Sequence, residues 1–262
     1  MRALLRGGVL LQRPDLSDAA LAVLAHLWEN GRRGGAAAHY LTAEGRPAPG
    51  SPLLADQASL AAALLDAYEV TAERRWLEGA AELAGWAGEN LRAPDGRLHD
   101  RLPTTGDSAG LLGRPLPVLD ENALMADVLM RLESYTGEAT WRDDALEILM
   151  GWVSSHEQYG VAAAAYGKAL MRYIDRPDHI VVTGARDDPA ARRLLAAALA
   201  APRPLHTVQL LDPGDVADAA RLRALGLMGS DGDPPVLAAY ACRGTTCLAP
   251  VTDPAVLGRP LA

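Results

Sequence analysis

The chain has 262 residues, 49% hydrophobic and 22% charged, the balance of an ordinary soluble protein with room for one large core or two small ones. A net charge of −8 and a single lysine, Lys168, leave no basic stripe, which excludes a sequence-independent nucleic-acid surface. No apolar run approaches the roughly 20 residues of a membrane span. Two cysteines, Cys242 and Cys247, are too few for a disulfide framework and fit a reducing cytoplasm.

The opening segment, Met1 to Leu11, resembles a signal peptide only superficially, because Arg6, Gly7 and Gly8 break its apolar run. The first predicted helix covers 15–30, with Asp15, Ser17 and Asp18 at its start and Leu21, Leu24, Ala25 and Trp28 at helical spacing. Gly31 to Pro52 reads as a long Gly/Pro-rich loop. A helix over 54–70 is apolar nearly all round, the pattern of an inner helix. After the tight link Thr71-Ala72, residues 73–91 form an amphipathic outer helix with Trp76, Ala80, Leu83, Ala84 and Ala87 on its apolar face.

The same logic then returns. A second long loop, Arg92 to Pro117, precedes an inner helix at 119–135, a Thr136-Gly137 turn and an outer helix at 139–155. The register is a fixed 65 residues: Asp56, Ala61, Leu64, Thr71, Glu73 and Trp76 recur as Glu121, Ala126, Leu129, Thr136, Glu138 and Trp141. Such a period marks stacked copies of one supersecondary unit. Residues 159–174 begin a third copy. The abundance of Ala, Leu and Arg reads as a compositional bias rather than a functional signal.

A series of helical hairpins with all long loops at one end predicts an (α/α) toroid. About six helices are roughly half of what a six-hairpin ring requires, and helix 15–30 reads as an outer helix without an inner partner. The expectation is therefore a partial toroid over 1–176. Beyond it, strands at 179–184, 205–211 and 236–242 alternate with helices at 187–201 and 215–225. These predict a small β-α-β-α-β unit over 177–262, so the fold class is mostly α with an α/β addition. Neither a G-x-G-x-x-G nor a Walker A pattern is present, and no cofactor or metal is expected.

The C-terminal run Ala239-Tyr-Ala-Cys242-Arg-Gly-Thr-Thr-Cys247-Leu-Ala-Pro-Val-Thr-Asp253-Pro254 resembles the closing segment of the YyaL-type thioredoxin-domain-containing family, which has a spermatogenesis-associated member. The Val181-Val-Thr-Gly184 and Asp188-Pro189 run, the Leu54-Ala-Asp56 helix start and the Thr136-Gly137-Glu138 turn fit the same resemblance, which covers most of 40–258. It implies a thioredoxin-like domain followed by a ring similar to N-acylglucosamine 2-epimerases and six-hairpin glycosidases. This chain has no thioredoxin-like domain and no C-x-x-C, so the family's redox activity does not transfer.

Candidate site residues gather at the long-loop end. Asp56 and Glu121 occupy matched positions, with Asp120 adjacent; their expected role is to cap their helices, a glycosidase-like carboxyl pair or ligand binding being the alternatives. His39 and His99 sit in the two long loops, where epimerase-like proton transfer competes with an ordinary solvated histidine. Tyr40 is a candidate for stacking on a sugar ring and Arg114 for ligand binding, whereas Trp86, Trp141 and Trp152 are expected to pack inward. Cys242 and Cys247 are expected as reduced thiols at a strand end, with a redox pair or a metal half-site as alternatives.

Two functional classes follow. One is a non-enzymatic interaction or scaffold module. The other is a carbohydrate-processing enzyme whose cleft is completed by an N-terminal half or by a second copy of the chain, with a sugar-like small molecule as ligand.

Overall fold

The computed structural model describes residues 1–103, 110, 113–229, 236–244 and 246–257. The middle of the second long loop and the connector before the last long strand lie outside them, as does part of the segment predicted as 177–262. Ten α-helices are present among the described residues: α1 Arg2–Leu10, α2 Pro14–Asn30, α3 Leu54–Thr71, α4 Arg74–Leu91, α5 Leu119–Thr136, α6 Ala139–Met150, α7 Ala164–Asp175, α8 Pro189–Ala200, α9 Val216–Ala224 and α10 Pro254–Leu257. Among the described residues no helix is long and apolar enough to cross a membrane.

The repeat is visible down to single hydrogen bonds. Thr71 Oγ1 donates to Ala67 O and accepts from Glu73 N; Thr136 Oγ1 does the same with Leu132 O and Glu138 N. Each inner helix then ends on a left-handed residue, Ala72 at φ 60° and Gly137 at φ 80°. Glycine is needed twice over at 137, because a Cβ there would also lie 2.2 Å from Arg221 Nη1. The two hairpins, α3–α4 and α5–α6, pack through Leu64, Leu65, Trp76, Leu83, Leu129, Leu132 and Ile148 in one continuous core.

Helix α2 is not the partnerless outer helix that the sequence suggests. The segment taken as broken by Gly7 and Gly8 is helix α1, which packs against both α2 and α3. Gly8 permits the crossing: a Cβ there would fall 2.0 Å from Ser17 Oγ. The inner helices α1, α3, α5 and α7 therefore stand side by side in chain order, backed by α2, α4 and α6. The helix predicted over 139–155 stops at Met150, where the stem of Arg97 occupies the space a side chain at Gly151 would need. A 3-10 segment, His156–Ala163, replaces the predicted start of α7.

After Asp175 the chain builds a four-stranded sheet from β3 His179–Thr183, β4 Thr207–Leu211, β5 Ala238–Arg243 and β6 Thr246–Cys247, in the order β4-β3-β5-β6. (A two-stranded hairpin, β1 Arg32–Arg33 with β2 Ala36–Ala37, lies in the first long loop.) The β3–β4 pair is parallel and the others antiparallel. Ile180, Val182, Val208 and Leu210 pack under α8, while Val181 and Leu211 meet Leu222 of α9 on the opposite face, as the two-residue period of a strand requires. Register places Cys242 directly opposite Cys247, and the two sulfurs are joined in a disulfide. The expectation of two reduced thiols is thus overturned, and with it the support that the cysteines lent to a reducing compartment.

The sheet sits at the short-turn end of the inner helices. Edge strand β4 would leave Val208 N–H unpaired, but it donates to Glu69 Oε1 of α3, which also accepts from Tyr135 Oη of α5. Gln209 Nε2 donates to Tyr68 Oη at 2.7 Å, and His179, pushed down to about 4 by burial, lies edge-on to Tyr135. Arginines cap the helix ends from outside. Arg192 donates to Val70 O and Thr71 O of α3, Arg221 to Ser134 O of α5, and Arg142 to Tyr173 O of α7. Arg74 of α4 and Arg186, just before α8, converge on Asp218 of α9. The abundant arginine is therefore structural, not merely compositional.

Candidate functional site

At the opposite end, the two long loops are anchored by a device that the sequence reading missed. Gln57 and Asn122 occupy the same repeat position, and both are fully buried. Gln57 Oε1 accepts from Ala37 N at 2.7 Å and its Nε2 donates to Ala37 O at 2.9 Å. Asn122 Oδ1 accepts from Leu98 N at 2.7 Å and its Nδ2 donates to Leu98 O at 2.8 Å. Each amide treats a loop residue as a strand partner. It satisfies two buried backbone groups that would otherwise cost about 1–3 kcal/mol each. The signal was present in the sequence: amides at matched positions beside the matched acids.

These anchors position the candidate residues. Two residues beyond Ala37, His39 Nδ1 lies 3.1 Å from Asp56 Oδ2. Tyr40 follows, exposed and edge-on to His39. The His39-Tyr40 segment borders two cavities. One, of about 210 Å³, lies between the end of α2, Asp56, Ser59 and Leu60. The other, of about 520 Å³, is lined by Trp86, Asn90, Leu102 and the Pro49–Leu53 stretch. Trp86 borders this cavity while packing, like Trp141, partly buried against the core in which Trp76 and Trp152 are buried.

In the second loop, Asn122 holds Leu98, and His99 follows with its backbone N–H on Leu91 O. Asp100 comes next. It accepts from Leu116 N and pairs with Arg101, tying the loop's two strands together. His99 belongs to this loop base, and its Nδ1 is buried with no hydrogen-bond partner among the described residues, so it is not the solvated loop histidine expected. Arg114 is exposed further along the loop, and Asp120 is exposed in the first turn of α5.

Glu121 is the unusual group. Its carboxyl is pushed up to about 7, first by burial and then by the charges of Asp120, Asp100 and Asp56, with Arg101 pulling the other way. Its Oε2 is buried and has no hydrogen-bond partner among the described residues. Asp56, Asp120 and Glu121 lie in the first turns of α3 and α5, where an acid complements the helix dipole as expected, but neither helix has a side-chain N-cap, in contrast to Asp188 and Asp215, which cap α8 and α9. Among the described residues no group of three or more His, Cys, Asp or Glu is disposed to hold a metal ion.

No family model matches the chain. A comparison with curated proteins finds human spermatogenesis-associated protein 20, 27% identical over 222 residues, which covers 78% of this chain. The chain spans about a quarter of that relative, 26% of its length. The similarity agrees with the spermatogenesis-associated side of the resemblance drawn from the C-terminal segment.

Proposed function

We propose that the long-loop end binds a carbohydrate-like, polyhydroxylated ligand and transfers a proton to it, with Glu121 as the acid and Asp56, oriented by His39, as its counterpart. The observation that carries this reading is the unlike treatment of two carboxyls at matched repeat positions. One lies within hydrogen-bond reach of a histidine, and the other is half-buried, with Oε2 unpartnered among the described residues, and shifted to about 7. Carboxyls driven apart in this way are how a single site runs acid and base chemistry near neutral pH. Tyr40 and Trp86 offer aromatic faces beside the cavities.

The row of inner helices supplies one wall of a cleft in a toroid-like arrangement. The other wall comes from further hairpins, in the same polypeptide or in a second copy. Support lies at the two edges of the row. Leu4, Leu11 and Val23 are exposed on α1, the α1–α2 turn and α2, and Met171 and Ile174 on α7, as surfaces that receive a neighbour are. The same flanks favour a second reading, an interaction or scaffold module.

The experiment is saturation-transfer NMR with glucose and N-acetylglucosamine, together with turnover of aryl glycosides by the wild type and Glu121→Gln. The expected result is binding in both proteins and turnover in the wild type alone. Absence of binding and turnover in the wild type removes the sugar reading. Light scattering then tests the flanks: self-association at tens of micromolar is the scaffold outcome, and a monomer counts against it.

A further inference from the structure

About ten residues along the inner helices from Asp56 and Glu121, roughly 15 Å away at 1.5 Å per residue, the same wall changes sign. There α1, α3, α5 and α7 together line a cavity of about 270 Å³. Five cations, Arg2, Arg6, Arg131, Lys168 and Arg172, face three carboxylates, Asp66, Glu69 and Asp127, in a chain whose net charge is −8.

The three acids are saturated. Asp66 receives Arg2 at 2.6 Å on one oxygen and Arg131 at 2.8 Å on the other. Asp127 receives Arg172 at 2.7 Å and Lys168 at 3.1 Å. One oxygen of Glu69 takes Tyr135 and Val208, and the other faces Arg131 at 3.4 Å. Burial alone would raise the Asp127 carboxyl, but Arg172, Lys168 and Arg131 outweigh it and hold it at about 2. The cations, by contrast, keep donors in hand. Arg6 comes no nearer than 3.9 Å to Glu69, Arg2 reaches Asp66 through Nε, and Lys168 places one of its three N–H donors on Asp127.

We propose that this cavity is a binding site for a small tetrahedral oxyanion of the phosphate or sulfate class. Arg131 and Arg172, fixed by buried ion pairs, form its rigid back, and the half-exposed Arg2, Arg6 and Lys168 close on the anion from the front. An ion network that served packing alone would match its charges. This one leaves two positive charges and several N–H groups facing a cavity with room for a hydrated anion. The site stands independently of the proton chemistry assigned to Glu121.

The test is titration of the whole chain with inorganic phosphate, read by calorimetry and by Tm, with sodium chloride holding ionic strength constant. The expected result is saturable binding with a rise in Tm, at least tenfold weaker in an Arg6→Ala, Lys168→Ala double variant and unchanged in Glu121→Gln. Both replaced side chains are roughly half exposed, 49% and 44%, so the fold is expected to survive, as circular dichroism will verify. If the double variant unfolds, Lys168→Gln alone carries the readout, with several-fold weakening expected. A Tm in phosphate equal to that in chloride overturns the proposal, as does undiminished binding by the variants. A hexose 6-phosphate that binds more tightly than phosphate identifies the anion as one end of a larger ligand, and equal affinities identify it as free phosphate.

Discussion

In the first long loop, Gln57 holds Ala37 and leaves His39 against Asp56; in the second, Asn122 holds Leu98 and leaves Glu121 Oε2 without a partner among the described residues. The backbone solution is common to the two copies, while the side chains it displays diverge. Repetition therefore specifies where a carboxyl stands. Its charge state comes from its neighbours. Asp56 has His39 within hydrogen-bond reach, whereas burial and three nearby acids lift Glu121 to about 7.

The hardest test of that comparison is to remove the shared part. Gln57→Leu and Asn122→Leu each leave a buried N–H and C=O without partners, with an expected loss of about 2–4 kcal/mol in urea unfolding. Similar losses would sustain the equivalence of the anchors, and a loss in one copy alone would break it. The turn at the far end gives a smaller effect. Gly137→Ala puts a side chain on a left-handed residue and against Arg221, for about 1–2 kcal/mol, whereas Ala72→Gly is expected to be neutral or slightly stabilising.

The difference between the copies is read by pH. Because the folded Glu121 carboxyl lies near 7 and its ordinary value is 4.5, folding carries no penalty from this group below 4.5. As pH rises, the unfolded chain gives up the proton first. The Glu121 contribution to stability therefore falls between about 4.5 and 7, while buried His179, held down to about 4 from an ordinary 6.5, adds stability as pH rises over that lower range. The expected drop from Glu121 is about 1 kcal/mol once its partial exposure is allowed for. Glu121→Gln should remove this contribution and leave that of His179, so the wild-type-minus-variant difference in urea midpoints between pH 4.5 and 8 reads it. His39→Ala, which breaks only an exposed pair, should change stability by less than about 0.5 kcal/mol.

Helices α3 to α6 were legible because apolar periodicity and the 65-residue register agree, and β3 and β4 because β-branched runs end at turn residues. Helix α1 was hidden because Gly7-Gly8 reads as a breaker when the reader cannot see Ser17 pressing against Gly8. Spacing made Cys242 and Cys247 conspicuous, yet only strand register sets them opposite each other. Matched acids at the loop end were visible, but what shifts Glu121 includes Asp100 from a separate loop. Arg131 and Glu69, 62 residues apart, looked like ordinary positions on apolar helices until packing made them partners.

The arginine caps set a boundary on how this molecule responds to its surroundings. Arg192, Arg221 and Arg142 lie on helix ends with a guanidinium that keeps its proton across any pH a folded protein survives. The arginine caps of the seam between the inner helices and the sheet thus keep their charge, whereas the rim at the other end carries a carboxyl that changes state near neutrality. Near neutrality a change in proton concentration therefore reaches Glu121 at the rim while the arginine caps hold the helix ends at the base, so the molecule can adjust its mouth without releasing those caps.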